Sequence, residues 1–278
     1  MSNQQKTISI LGCGWLGLPL AEHLIARKYQ VRGATTTPSK LHTMQDKGIM
    51  PYLIKLDPQI NQDYDPDFFD CTTLVLNIPP SRRQEGIIRF YPEQVSSVLK
   101  AAQGSALRHI LFISSTSVYP NLNRAVTEKD AGGEITASGQ AVLAAEQVLQ
   151  AQDQFAVSIL RLCGLYDEER NPGRFLAGRQ LNSSGSECVN LIHREDCIQA
   201  VMAVIEQEAW GEVFNACSDV HPEKEAFYTL AAQKLGLEAP RFNPDAAPSY
   251  KKIDSSKIKK QLGVSLAYPD PMEMIRGL

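Results

Sequence analysis

The sequence predicts an α/β protein with a doubly wound parallel sheet and a smaller C-terminal lobe, on three observations. Short apolar, β-branched runs alternate with helical patterns, which is the spacing of parallel strands joined by helices. The first run, Ile8 to Leu11, ends in Gly12-x-Gly14-x-x-Gly17 and leads into a helical pattern. The segments Asp167 to Ser186 and His221 to Leu278 are richer in Pro, Gly and polar residues than the rest, as insertions covering a sheet edge would be.

Ile8 to Leu11 is apolar enough for a strand buried on both faces. Leu16 to Arg27 sets Leu16, Leu20 and Leu24 at helical spacing, with Ala21 and Ile25 beside them. Strand, tight glycine turn and helix make the fingerprint of a Rossmann-type dinucleotide-binding unit. Gly12 permits the turn, Gly14 lets the backbone approach a pyrophosphate, and Gly17 lets the helix pack on the strand. The turn that also holds Cys13, Trp15 and Leu16 offers a helix N-terminus, with its free N–H groups, to phosphate. The plainer reading is a strand–helix turn with no ligand.

Tyr29 to Thr35 reads as the second strand, Tyr52 to Leu56 as the third, and Thr73 to Ile78 as the fourth, stopped by Pro79 and Pro80. Tyr91 to Gln103 is helical, and Arg108 to Ser114 is a buried fifth strand. Ala137 to Ala151 is an amphipathic helix with Val142, Leu143, Ala145, Val148 and Leu149 on its apolar side. Phe155 to Leu162 is a sixth strand, Cys197 to Glu206 a helix, and Glu212 to Ala216 a late strand. Right-handed crossovers place a ligand over the strands' carboxyl edge. Asn77, Ile78, Pro79 and Ser114, all at strand ends, therefore join the expected cofactor set. Residues 1–162 are expected to form the dinucleotide-binding domain, with 187–217 returning to it. Residues 163–186 and 218–278 would form the substrate lobe, with substrate held between the two.

The chain has 278 residues, 43% hydrophobic and 21% charged, which is enough for a substantial core. A net charge of −3 gives no reason to expect nucleic acid or an anionic membrane as partner. No secretory signal pattern and no apolar run of membrane-spanning length is evident, so a cytoplasmic location is expected. Six cysteines are scattered without a CxxC pair, which fits reduced, buried thiols rather than a disulfide frame or metal site.

Sites that prefer NAD carry a carboxylate at the end of the second strand, on the ribose hydroxyls. Here that place reads Thr35-Thr36-Thr37-Pro38-Ser39-Lys40. Nothing there repels a 2′-phosphate, and Thr35, Thr36, Thr37 and Lys40 suit one, so NADP is favoured over NAD. Arg32 is near in sequence, but strand alternation points it away. The alternative is a polar loop before a helix, with Ser39 as cap.

Phe112 to Tyr119 reads Phe-Ile-Ser-Ser-Thr-Ser-Val-Tyr, which resembles the SS-x-x-VY segment of extended short-chain dehydrogenases/reductases, the epimerase/dehydratase group acting on nucleotide sugars. Arg161 to Tyr166 resembles that family's R-x-x-x-x-YGPG stretch, Val189 to Asp196 its vn-IH-x-x-D, and Val213 to Cys217 its yNv. The segments GWLGLPLA, SSTSVYP and YPDP look most like the bacterial YeeZ-like branch of atypical members. The resemblance implies that Ser115 polarises a substrate oxygen and that a YxxxK pair on the next helix moves the proton. It also implies pairing as a homodimer through helices flanking the sheet, including Ala137 to Ala151. Aligned by LAAEQVL, however, the Tyr position holds Ser138 and the Lys position Val142. A serine without a base is a poor proton shuttle, and valine cannot perturb a neighbour's pKa.

Tyr166 is the candidate substitute, while Tyr119, His193, Cys163 and Lys129 read as structural or solvated. The candidate catalytic set is therefore Ser115, Ser138 and Tyr166. Three readings stay open: an NAD(P)-dependent epimerase/dehydratase-like oxidoreductase acting on a small polar substrate, a non-catalytic, NADP-binding redox sensor, or a structural relic that binds no ligand.

Overall fold

The computed structural model describes residues 6–81 and 84–277. Among them, seven strands form the main sheet: β1 (Thr7–Leu11), β2 (Gln30–Thr35), β3 (Met50–Leu53), β4 (Thr73–Leu76), β5 (His109–Ser115), β6 (Ala156–Leu162) and β7 (Val213–Ala216). Their spatial order is β7-β6-β5-β4-β1-β2-β3, and the sheet is parallel. The helices are α1 (Gly17–Ala26), α2 (Lys40–Asp46), α3 (Ile87–Ala101), α4 (Ala137–Gln150), α5 (Arg194–Glu206), α6 (Lys224–Lys234), α7 (Ser256–Leu262) and α8 (Pro271–Gly277). Chain direction across the sheet reverses between β1 and β4, the switch point where an open α/β sheet leaves a crevice. The predicted fold class is therefore the observed one.

Element boundaries shift where proline chemistry intervenes. The third strand was expected from Tyr52 but starts at Met50, so it includes Pro51. β3 is the last strand in the sheet order and pairs only with β2, and an edge strand tolerates a residue with no N–H. The helix expected from Tyr91 starts at Ile87 and carries Pro92 inside it. The amide that Pro92 lacks would have met the Ile88 carbonyl, and Ile88 is exposed, where water serves that oxygen. Ser39 was weighed as a cap, but it has helical backbone angles and its side chain makes no capping bond. α5 begins at Arg194 rather than Cys197, with Glu195 and Asp196 in the first turn, where acids suit the helix dipole.

The chain divides into two compact units. The first is Met1–Val118, Thr136–Leu160 and Val204–Val213, and the second is Tyr119–Ile135, Arg161–Ala203 and Phe214–Leu278. The stretch 187–217, expected to return whole to the first unit, is thus divided between them, because the unit boundary falls inside α5 and β7. The first unit's core is built from strand residues such as Ile8, Ile10, Leu74, Val75, Ile110 and Leu111, covered by Leu20 and Leu24 of α1. Full burial of consecutive strand residues is what helices on both sheet faces require.

The second unit has its own apolar cluster of Tyr166, Val189, Leu191, Phe227, Ala231 and Ile275. It also buries a polar network. The Tyr119 hydroxyl donates to Asn215 Oδ1 at 2.6 Å and accepts from Arg161 Nη1 at 2.7 Å. Arg161 also donates to the Glu128 carbonyl, and the Asn215 amide donates to Glu128 Oε1. Tyr119 is therefore a structural residue, as its resemblance implied. Tyr119→Phe strands the Asn215 oxygen and removes an acceptor from Arg161. A loss of ~1–3 kcal/mol is expected in urea denaturation, with no change in cofactor affinity.

Candidate functional site

β1 and β4 end side by side, and the chain after each forms the rim of the crevice. Asn77 Nδ2 donates to the Gly12 carbonyl at 2.9 Å, and the Asn77 amide donates to the Leu11 carbonyl. Gly12 has φ +111°, a region that disfavours any side chain. A Cβ there would lie 2.2 Å from the Asn77 carbonyl oxygen, and a Cβ on Gly17 would lie 2.3 Å from the Gly12 oxygen. Both glycines are thus required by packing within the chain. Gly14 is different: a Cβ there meets nothing within 4 Å. It is exposed just before α1, where the Leu18 and Leu20 amides donate to the Gly14 and Leu16 carbonyls and Pro19 has no N–H. A concave glycine turn facing open space at a helix N-terminus fits a pyrophosphate.

Other expected contacts sort by what their polar groups already do. The Cys13 amide donates to the Ala34 carbonyl, and burial pushes its thiol pKa up to about 12, so Cys13 packs under the turn. Leu16 is buried and Trp15 half-buried beside Gly14. At the end of β2, Thr35 Oγ1 accepts from the Thr37 amide, while Thr36, Thr37 and Lys40 are exposed. Arg32 donates to the carbonyls of Asp67 and Asp70, so it is held away from this loop. Ile78 gives its carbonyl to the Tyr91 hydroxyl at 2.6 Å, and Pro79 is exposed after it.

Ser114, expected at the cofactor, instead donates to Glu146 Oε1 at 2.5 Å, and both are buried. Glu146 lies on α4 one turn beyond Val142, which is 2% exposed. Sequence reading missed this acid, although a glutamate inside the apolar stripe 142-145-149 is the signal that marks it. Ser115 is placed differently. Its hydroxyl accepts from the Ser117 amide at 3.1 Å and keeps its own proton to donate. Ser138 is half-buried in the first turn of α4, which Thr136 caps through the Gly139 amide.

Tyr166 belongs to the second unit and is fully buried in its apolar cluster, and burial raises its pKa. Its oxygen is in no hydrogen bond of good geometry, and the adjacent Ser218 hydroxyl donates to the Tyr268 carbonyl. A phenol in those surroundings packs, and it lacks a partner to pass a proton to. His193 stacks on Tyr268 and accepts the Glu195 amide at Nδ1, and burial lowers its pKa. It holds the start of α5 as a neutral imidazole.

Residues 12–208 match the family model described as NAD(P)H-binding. The chain is 37% identical to Protein YeeZ of Escherichia coli (strain K12) over 272 residues, covering 97% of this chain and 98% of that one. Among solved structures, MoeE5 in complex with UDP-glucose and NAD matches with a TM-score of 0.75 at 16% identity, covering 97% of this chain and 96% of that chain. The UDP-N-acetylglucosamine 4-epimerase from Bacillus cereus matches with a TM-score of 0.75 at 18% identity, covering 98% of each. These two likenesses show the fold.

The three glycines should separate experimentally. Gly12→Ala and Gly17→Ala are expected to lower the melting temperature, because backbone cannot retreat from a new Cβ. Gly14→Ala is expected to leave melting unchanged while weakening cofactor binding about tenfold, ~1.4 kcal/mol, in calorimetry.

Proposed function

This chain belongs to the NAD(P)H-binding family, and from that premise we propose that it is an NAD(P)-dependent oxidoreductase of the epimerase/dehydratase type, acting on a nucleotide-linked sugar. One observation carries the reading: Gly14 has open space where its neighbours Gly12 and Gly17 are packed against backbone, and that space is where a bound diphosphate would lie against the turn. The nicotinamide coenzyme, when bound, accepts or donates the hydride. The amide-lined turn of residues 14–17 binds the diphosphate, and Thr36, Thr37 and Lys40 receive the adenosine ribose end. Among the described residues Lys40 has no acidic partner, which favours the 2′-phosphate of NADP over the free hydroxyl of NAD.

In the reducing direction Ser115 donates a hydrogen bond to the substrate oxygen that gains charge as hydride arrives, and solvent water supplies the proton that completes the alcohol. Such a donor stabilises developing charge without itself ionising. Ser138 and Val142 stand where the catalytic relatives place tyrosine and lysine, so no phenol–ammonium relay is available. The nucleotide-sugar class is supported by the ligand named for MoeE5 and by the epimerase of similar fold. A second reading, a redox sensor that binds NADP without turnover, is favoured by the buried apolar Val142 at the lysine position.

Incubation of the protein and NADP with a panel of UDP-sugars tests the first reading. Epimerised, dehydrated or oxidised product is expected, and Ser115→Ala should lower turnover about a hundredfold at unchanged cofactor affinity. No conversion, with NADP and NADPH bound at clearly different affinities, leaves the sensor reading standing. For the coenzyme, Lys40→Ala should weaken NADP binding about fivefold, in line with loss of one exposed charge contact, and leave NAD binding unchanged.

A further inference from the structure

The first unit holds a second cavity, at the opposite ends of the strands from the glycine turn. Residues at the starts of three neighbouring strands line it: Ile8, second in β1, Thr73 of β4 and His109 of β5, with Arg108 just before the last. Ile205 and Trp210, from the end of α5 and the turn after it, close it from the side. β1 is five residues long, so this end of the sheet lies ~16 Å from Gly12. The cavity measures about 170 Å³. A cavity of ~150 Å³ is enough to hold a benzene ring.

Three features mark the cavity as built. The Trp210 indole N–H is buried and has no hydrogen-bond acceptor among the described residues. An unsatisfied buried donor is destabilising, and native chains rarely retain one without a reason. The indole also stacks flat on the His109 ring, with centroids 4.5 Å apart and planes within 5°, which gives one continuous aromatic wall. Finally, the turn that carries Trp210 is strained and yet held in place. Glu208 adopts φ +53°, a left-handed conformation unusual for a residue with a side chain. Ser158 of β6 secures the same turn, donating to the Ala209 carbonyl at 2.7 Å and accepting from the Glu212 amide.

The charges around the cavity define what would enter it. Lys6 is paired with Glu208 at 2.5 Å, so the two cancel. The Thr72 hydroxyl is spent on the Thr7 carbonyl. Burial lowers the pKa of His109, leaving the ring neutral at pH 7. Among the described residues, the Arg108 guanidinium bonds its neighbour's carbonyl at Leu107 and meets no acidic partner. The lining therefore offers an apolar floor, a flat aromatic wall and, among the described residues, one cation without an acidic partner.

We propose that this cavity is a binding site for a small planar aromatic acid, whose ring lies against Trp210 and the isoleucines, whose acceptor atom takes the indole proton, and whose carboxylate meets Arg108. The site is separate from the coenzyme crevice, and its occupancy does not depend on the reaction assigned above.

The chain has two tryptophans, so Trp15→Phe leaves Trp210 as the sole indole reporter. Titration with benzoate is expected to change its emission saturably, and calorimetry on the unmodified protein should give the same affinity. Trp210→Phe and Arg108→Ala should each weaken benzoate about fivefold, the size of one hydrogen bond, while NADP affinity stays the same. Benzyl alcohol, which has the ring without the charge, should bind more weakly than benzoate to the unmodified protein and equally to it in Arg108→Ala. Absence of a saturable signal from either method overturns the proposal. So does benzoate binding that neither substitution weakens.

Discussion

The hydrogen bond from the Asn77 carboxamide to the Gly12 carbonyl is the contact on which the cofactor end of the first unit depends. It joins the ends of two adjacent parallel strands at the place where the connections diverge to opposite faces of the sheet. The same Gly12 oxygen sets how closely α1 approaches, because a Cβ on Gly17 would strike it. Asn77's own carbonyl forbids a side chain on Gly12. One peptide group and one amide side chain thus fix the depth of the turn, the angle of the helix and the width of the crevice. The helix itself is anchored to that turn, its Leu18 and Leu20 amides donating to the Gly14 and Leu16 carbonyls. A site built from backbone is insensitive to most substitutions around it, which is why so short a motif identifies it.

How much of this was legible in the sequence depends on how local the governing interaction is. The strand runs Ile8–Leu11, Thr73–Leu76 and His109–Ser115 were readable because burial on both faces leaves an unbroken apolar stretch. The glycine turn was readable because its conformation is set within six residues. Strand and helix ends were read less well where a residue's tolerance depends on its neighbours. Pro51 is accommodated only because β3 lies at the edge of the sheet, and sheet order is not written locally. Ser39 has the right chemistry for a cap, yet its backbone is already helical, so its hydroxyl is not placed to serve.

Hydrogen-bond partners distant in sequence were the least legible. Ser114 was expected at the cofactor by its place at a strand end, but its hydroxyl is bonded to Glu146, 32 residues on. Arg32 was expected to point away, and its actual anchors, the carbonyls of Asp67 and Asp70, lie in a turn that no periodicity announces. Tyr166 follows a strand as a catalytic group might, yet the second unit's packing encloses it. In each case side-chain type was informative about chemistry, and only the fold decided whether that chemistry was already spent.

Helix α4 carries the clearest consequence for the reaction. Its inward face presents Val142, Ala145, Glu146 and Leu149, all buried, so the ionisable group on that face is an acid. A lysine in the place of Val142 would lower a neighbouring phenol's pKa, whereas a carboxylate raises the cost of any nearby anion. Burial and the charge of Glu146 do hold the Tyr91 phenol above its ordinary pKa. Burial and that charge therefore oppose ionisation of a phenol beside Glu146. Under the proposed function, Ser115 acts as a neutral donor, and a neutral donor is compatible with those surroundings because it never has to become charged. With an acid buried on that face, a phenol placed there without a cation would sit in surroundings that disfavour its ionised form.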